Sequence, residues 1–231
     1  MIVRKGPGVL HLITQPDHAA LAARVMAGWP PLEDAPRRHD ILMAVEHHDR
    51  GWREPDAAPT VDVATGRVLD FVHVPTAVRQ GVWPVSVGLL ASTPWAAALV
   101  AQHAVTVYAR FRPAPEWHAF FGAMTALRDE HLGRAGGDLA ALARDYVYLR
   151  LGDLLSLAFC TGTDAPAEFD GWTVRLAGTR VHVAPNLFRT AVRLDVPARE
   201  IPDVPYASDA ALAAAVAAAV PRTLAGTIGA T

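Results

Sequence analysis

The chain has 231 residues, of which 52% are hydrophobic and 19% are charged, and its formal net charge is -2. This length and composition allow one large domain with a sizeable hydrophobic core, and they exclude wholesale disorder. The near-zero net charge gives no electrostatic reason to expect nucleic acid or an acidic membrane surface as a partner.

The first third of the chain predicts a short extended segment, two helices and a long loop. Residues 9–13 form the strand or extended segment, and Asp17 is a good N-cap for a helix that ends near Gly28. A second helix is predicted over 41–50. Residues 53–75 contain several Pro, Asp and Gly residues with little periodicity, so we expect an ordered loop over one face. Loops of this length inside compact domains are often functional.

Helical patterns dominate the middle of the chain, and strand patterns follow them. Helices are predicted at 76–91, 95–111, 115–133 and 138–160. Residues 172–176 and 180–184 flank a Gly-containing turn and predict a β hairpin. Residues 190–196 alternate in the manner of a third strand. Ser208 can cap a last, Ala-rich helix that runs to Val220.

Together these elements predict a mainly α fold. We expect a helical body over residues 1–162. Residues 163–231 are expected to add a small C-terminal β hairpin or sheet appendage and the Ala-rich helix, all packed as one structural domain. That final helix is better suited to docking or to a homodimer contact than to a functional site.

Cysteine content and apolar segments favour a cytoplasmic protein. The single cysteine, Cys160, cannot form an internal disulfide, which fits a reducing compartment. The first residues lack the apolar run of a signal peptide. The longest apolar stretch, 210–220, is too short to span a bilayer. We expect a small-molecule substrate as partner, with no nucleic acid and no membrane.

Five metal-ligating side chains fall on the apolar faces of separate predicted helices. They are His18, His48, Asp49, His103 and Asp153. His48 and Asp49, for example, continue the apolar stripe of the second helix at helical spacing. Buried carboxylates without a partner are unfavourable, and a cation at their convergence inside a helical bundle would satisfy them together. We therefore predict a metal site formed by these five residues.

Each of these residues also has an ordinary structural explanation. A single inward His such as His103 is often a hydrogen-bonded core residue. Asp49 can pair with an arginine near the end of its helix, and Asp153 can pair with Arg150. The metal interpretation is favoured because five such coincidences would be needed to replace it.

The order of these residues resembles the H…HD…D pattern of the HD superfamily, in which helices supply a His, a His-Asp pair and a later Asp to one metal. More closely, residues 2 to 220 resemble DUF3891, a bacterial family of unknown function. The residues that carry this resemblance are Gln15-x-Asp17-His18, His48-Asp49-x-Gly51-Trp52, Asp62-x-x-Thr65-Gly66-x-x-x-Asp70-Phe71, His103 and Asp153-x-x-Ser156-Leu157. The resemblance implies an HD-domain-like helical bundle around a metal site and says little about the substrate.

The HD resemblance implies a metal-dependent phosphohydrolase of a small phosphorylated metabolite or nucleotide. A divalent metal on the pattern's ligands, His18, His48, Asp49 and Asp153, would polarise a phosphoryl oxygen and activate a water. Mixed His and carboxylate ligands suit Mn, Fe, Zn, Co or Ni. His103 and Asp49 are the candidate catalytic residues. His103 can serve as a further ligand, as a ligand to a second metal, or as a general acid, and Asp49 can bridge two metals.

Arginine and aromatic residues near the His-Asp pair supply candidate substrate contacts. Arg50, Arg53 and Arg79 are candidate phosphate-binding residues, because a guanidinium donates two parallel hydrogen bonds to an oxyanion. Solvent-exposed surface positions are the ordinary alternative for all three. Trp52, Phe71 and Trp83 are candidates for the pocket wall, and core packing is their ordinary alternative.

Two other functions remain open at this stage. Some HD-type proteins hold two irons and oxidise a substrate with dioxygen, and His73 and His103 lie in the interval where the extra ligands of those proteins occur. The other alternative is a non-enzymatic protein that binds a metal or a small ligand. Catalytic metals keep an open coordination position, whereas structural metals do not, and this separates the enzymes from the binding protein.

Overall fold

The structure of the protein is a computed structural model that describes residues 1–229. Residues 230 and 231, the end of the predicted 163–231 segment, lie outside the described residues. The helices are α1 (Gln15–Ala27), α2 (Pro30–Glu33), α3 (Arg38–His47), α4 (Arg53–Ala57), α5 (Thr76–Leu89), α6 (Pro94–Val107), α7 (His118–Arg134), α8 (Leu139–Thr161) and α9 (Asp209–Ala218). The strands are β1 (Ile2–Gly6), β2 (Val9–Ile13), β3 (Ala167–Phe169), β4 (Trp172–Ala177), β5 (Arg180–Ala184), β6 (Val192–Pro202) and β7 (Val220–Ile228).

All seven strands belong to one sheet, in the order β1-β2-β6-β7-β5-β4-β3. Neighbouring strands are antiparallel except β5 and β7, which run parallel. β6 is the longest strand. Near its end it pairs with β2, where Leu10 faces Ile201, and along most of its length it pairs with β7. The sheet therefore joins the N-terminal hairpin to the C-terminal strands.

The prediction of a mainly α fold with a small β appendage is wrong, and the protein is not all-α. About half of the chain is helical and a fifth is in strands. β1 has two apolar residues followed by Arg4, Lys5 and Gly6 and does not alternate, and β7 contains Pro221 and Gly226 directly after an Ala-rich helix. Such segments become strands because distant segments pair with them, and strand preference depends strongly on that context.

The long helices agree better with the sequence patterns, with shifts at their ends. α1 is capped by Thr14 rather than Asp17. The Thr14 Oγ1 accepts a hydrogen bond from the Asp17 backbone N–H at 3.1 Å. α8 begins at the cap Asp138 and ends at Gly162, whose left-handed φ of 70° suits glycine. The predicted loop 53–75 instead contains α4 and an isolated β-bridge between Val61 and Val68.

Four helices, α1, α3, α6 and α8, form the centre of the core. α1 packs on α3 and α8, and α6 packs on α3, α7 and α8. Their contacting faces are fully buried apolar side chains such as Leu21, Val45, Leu99 and Leu149. α1 also packs on β6, and α8 packs on β1, β4 and β5. Among residues 1–229, no helix combines the length and the apolar character needed to cross a membrane.

Gly51 allows the turn after α3 to approach the backbone of α5. A Cβ at this position would lie 1.9 Å from the carbonyl oxygen of Val82, which no side chain can tolerate. The Gly51 N–H donates to the Ser86 Oγ at 2.8 Å. This contact positions the turn that carries His48 and Asp49.

We expect Gly51→Ala to destabilise the protein by at least ~1–3 kcal/mol, the range for overpacked buried sites. The matched control is Gly81→Ala on α5, where an added Cβ meets open space. Because alanine is the better helix former, the control should be neutral or stabilising by about 0.5–1 kcal/mol. Urea unfolding of both variants measures the difference, and equal stabilities would contradict the proposed role of Gly51.

Candidate metal centre

Five side chains from four helical regions meet in the interior of the protein. α1 contributes His18, the end of α3 contributes His48 and Asp49, α6 contributes His103, and α8 contributes Asp153. All five are buried. We call them the His/Asp cluster.

Imidazole nitrogens surround the two carboxylates of the cluster. The Nε2 of His18 lies 3.2 Å from Asp49 Oδ2 and 3.5 Å from Asp153 Oδ1. The Nε2 of His48 lies 3.4 Å and 3.7 Å from the same two oxygens. The Nε2 of His103 lies 3.6 Å from Asp153 Oδ2. The possible ligand atoms fall into two groups, and within each group all atoms lie within 4.8 Å of one another. The first group is His18, His48 and Asp49, and the second is His48, His103 and Asp153.

Hydrogen bonds at Nδ1 orient the first two histidines. The Nδ1 of His48 lies 2.8 Å from the Val45 carbonyl oxygen, which can only accept, so Nδ1 carries a proton. The Ser156 hydroxyl donates its single proton to the His18 carbonyl oxygen at 2.7 Å. It must therefore accept from His18 Nδ1, 2.9 Å away. Both rings consequently turn Nε2 toward the carboxylates as the atom that can bind either a proton or a metal.

The carboxylates control the charge of the cluster. Burial by itself would raise the pKa of Asp49, but the charge of His48 and the close nitrogen of His18 lower it below its usual range. The pKa of Asp153 is also lowered against burial, by contact with His48 and by the charge of Arg150. Burial likewise opposes charge on His48, yet the two carboxylates raise its pKa to about 10. The cluster thus attracts positive charge.

His103 differs from the other two histidines. Burial lowers the pKa of His103 to about 3, so its ring is neutral near pH 7. Its Nδ1 lies 3.1 Å from the hydroxyl of Tyr146. A neutral imidazole at this position suits a metal ligand.

A cavity of about 200 Å³ opens onto the cluster. Asp49, His103 and Asp153 form part of its wall. The other lining residues are Gln15, Trp52, Phe71, Val72, Arg79, Trp83, Val107, Tyr108, Arg110, Arg150 and Leu157. The wall therefore combines aromatic rings with three arginines.

Residues 1–203 match the family model described as "Protein of unknown function (DUF3891)". The chain belongs to the DUF3891 family. The family resemblance predicted from the sequence motifs is thus confirmed. Searches of curated proteins and of solved structures found no match to the chain.

The DUF3891 chain does not place all predicted substrate-binding residues at the cavity. Arg79 lines it, as do Trp52, Phe71 and Trp83. Arg50 and Arg53 are exposed and are not among the lining residues within 1–229. Arg50 instead lies beside the ring of His47, 3.3 Å from its Nδ1.

Several residues of this DUF3891 site were not identified from the sequence. Arg150 lies one turn before Asp153 on α8, and its guanidinium donates to Asp153 Oδ2. That pairing was considered only as an ordinary ion pair, although it places an arginine at the cavity. Gln15 and Ser156 stood inside the family motifs, but sequence alone assigned them no role. Tyr108 and Arg110 follow α6, and no sequence signal indicated that they reach the site.

The donor set of the cluster fits a divalent metal ion. The Nε2 atoms of His18 and His48 are buried and make no hydrogen bond to the residues described, 1–229. Ligand atoms about 2.0–2.2 Å from one ion lie roughly 3–3.5 Å from each other. The distances from these nitrogens to Asp49 and Asp153, 3.2 to 3.7 Å, are close to that range. The donor types, imidazole and carboxylate, suit Mn, Fe, Co, Ni or Zn.

We expect the protein purified without chelator to contain at least about one equivalent of a transition metal. A double variant, His48→Ala with Asp49→Ala, should lose it, because two ligands of the cluster are removed. The control is His47→Ala, which removes the neighbouring imidazole outside the cluster. Elemental analysis measures the metal, and circular dichroism checks that each variant is folded. Full metal content in a folded double variant would contradict the site.

The Ser156 hydroxyl should matter for metal binding although it contacts no carboxylate of the cluster. Ser156→Ala removes the acceptor that orients His18, and loss of such an outer contact typically lowers metal affinity by about 10–100-fold. The control Thr161→Ala removes a hydroxyl of α8 that donates to the Leu157 carbonyl and accepts from the Thr163 backbone N–H, with no contact to the cluster. Competition titration with a metal indicator compares the two. Equal affinities would show that Ser156 does not orient the ligand.

Proposed function

We propose that this DUF3891 protein is a metal-dependent hydrolase of a small phosphorylated compound. The observation that carries the proposal is that the His/Asp cluster forms one wall of a cavity that also holds Arg79, Arg110 and Arg150. Structural metal sites are closed, whereas catalytic sites remain accessible to substrate. Guanidinium groups next to such a site favour a substrate with phosphoryl oxygens.

The order of the ligands also supports a metal site of the HD type. The order along the chain resembles the H…HD…D pattern of the HD superfamily. α1 supplies His18, the end of α3 supplies His48 and Asp49, and α8 supplies Asp153. In this proposal these four residues hold the metal and His103 lies beside them. A divalent metal bound there would polarise a phosphoryl oxygen and make a water molecule more acidic.

The chain's own groups divide the remaining work. Asp49 and Asp153 stay ionised, because their pKa values are lowered. His103 is neutral near pH 7 and lines the cavity, so its imidazole can hydrogen-bond the attacking water or bind a metal as a further ligand. Arg150 is held by Asp153 and can bind a phosphoryl oxygen as negative charge develops on it. Trp52 and Trp83, both almost fully buried, restrict water in the cavity.

The two alternatives have less support from the geometry. The oxygenase alternative relied on His73 as well as His103 for extra ligands. The His73 side chain is 69% exposed and its Nδ1 bonds to Asp70 at 2.6 Å, so it does not join the cluster. A non-enzymatic binding protein would not require the neutral His103 and the arginines to share a cavity with the cluster.

The test is release of inorganic phosphate from a panel of sugar phosphates, nucleotides and p-nitrophenyl phosphate. The protein is assayed as purified and after loading with Mn, Fe(II), Co, Ni or Zn. Activity is expected to disappear with Asp49→Asn and with chelator, and to return when the metal is restored. No hydrolysis of any phosphorylated compound by metal-loaded protein would overturn the proposal.

Arg150 and Arg53 provide a matched comparison between a cavity arginine and an exposed one. Arg150→Gln should lower kcat/KM about 100-fold, as for loss of one donor to a developing oxyanion. Arg53→Gln should leave kcat/KM within about twofold, because Arg53 is exposed and is not a lining residue of the cavity, and exposed charges contribute little. Metal content is measured alongside, since Arg150 contacts a metal ligand. Equal effects of the two substitutions on kcat/KM would contradict the proposed role of Arg150.

A further inference from the structure

Buried polar atoms without a partner concentrate at the cavity. Of the eight buried side-chain atoms that make no hydrogen bond within residues 1–229, two are the ligand nitrogens of His18 and His48. Three more, Gln15 Oε1, Arg79 Nε and Trp83 Nε1, belong to residues that line the cavity. Buried polar groups in native proteins nearly always have a partner. The clustering of these unpartnered atoms at the cavity indicates that a bound molecule supplies their missing partners.

Two of these atoms, Arg79 Nε and Trp83 Nε1, are N–H donors on the same face of α5. Arg79 and Trp83 are one helical turn apart. The Arg79 guanidinium is held in place, because it donates to Thr76 Oγ1 at 2.9 Å and lies 5.4 Å from the ring centre of Phe111. Arg79 forms no ion pair with any residue from 1 to 229, so its charge is unbalanced there. A group that satisfies this wall must accept hydrogen bonds and carry negative charge.

Trp83 lines the same cavity as Arg79 and lies beside the cluster. The Trp83 ring lies 5.5 Å from the ring of His103, and the residue is 3% exposed. Tyr108, whose ring lies 6.0 Å from that of Trp83, also lines the cavity and adds a hydroxyl group to this wall. Replacing the indole by a phenyl ring would remove this donor and part of the ring while keeping an aromatic side chain at the position.

Arg79 and Arg150 occupy different surroundings in the cavity. Arg150 is bound to Asp153 at the cluster. Arg79 lies against the rings of Phe111 and Trp117, which stack on each other. Within residues 1–229, neither Arg79 Nε nor Trp83 Nε1 bonds to the cluster, so these donors remain for a second acceptor group of the same molecule.

We infer that Arg79 and Trp83 form a subsite for a second oxyanion of the substrate, which is thus a small compound with two anionic groups rather than a simple phosphate monoester. The inference rests on the proposed function, because it takes the first oxyanion to bind at the His/Asp cluster. The second group is a carboxylate or another phosphate. Both present the charged acceptor oxygens that an arginine and an indole N–H require.

Three probes of equal chain length that cannot be hydrolysed separate these cases. Propylphosphonate has one anionic group, 3-phosphonopropionate adds a carboxylate, and 1,3-propanediphosphonate adds a second phosphonate. Isothermal titration of the protein as purified should show at least one two-anion probe binding about 10–100-fold tighter than propylphosphonate, the range for a hydrogen bond to a charged group. Which of the two is preferred identifies the second group.

The variants locate the preference on α5. Arg79→Gln and Trp83→Phe should each reduce the two-anion preference by about tenfold or more while changing propylphosphonate binding by less than about threefold. Arg79→Lys keeps the charge without the Nε donor and should restore only part of the preference. Arg53→Gln, an exposed arginine, should leave all three affinities unchanged. Thermal unfolding confirms that each variant is folded.

The outcomes distinguish the inference from the function on which it rests. If propylphosphonate binds and the two-anion probes bind no tighter, the second subsite is wrong and the hydrolase proposal stands. A two-anion preference that survives Arg79→Gln and Trp83→Phe also overturns the subsite. If none of the three probes binds, neither the subsite nor an oxyanion site at the cluster exists.

Discussion

The structure depends on two carboxylates, Asp49 and Asp153, that are buried in the helical core. A buried carboxylate is unfavourable unless positive charge and hydrogen-bond donors surround it. Three histidines and Arg150 provide that environment, and the raised pKa of His48 is its direct consequence. The core therefore has to bring four helices together at one polar point.

The packing around this point explains two glycines. Gly51 follows the His-Asp pair and touches the α5 backbone, and Gly152 precedes Asp153 where α8 meets α1. A Cβ at Gly152 would lie 2.6 Å from Met26 of α1. The His-Asp pair and Asp153 thus lie beside glycines at which neighbouring helices pack closely. The sheet supports the same helices, because α1 and α8 pack against its strands.

The cavity exposes one side of the polar cluster. Asp49, His103 and Asp153 reach the cavity wall, whereas His18 and His48 are oriented from behind by Ser156 and the Val45 carbonyl. In the proposed function, Asp49 and Asp153 would therefore contact both the metal and the substrate space, whereas His18 and His48 would contact the metal alone. The donors of α5 extend the polar wall beyond the cluster, and in our proposal they bind the rest of the substrate.

The amino-acid sequence by itself determined the long helices and the set of five cluster residues. Helical periodicity is local, and polar side chains on apolar stripes are visible without any tertiary information. The sheet could not be predicted in this way, because β1 and β7 acquire strand structure from partners far along the chain. Arg50, Arg53 and Arg79 looked equivalent in the sequence, yet only Arg79 lines the cavity. Which charged residue faces the site depends on how α5 packs on the turn at Gly51, and only the tertiary structure decided that.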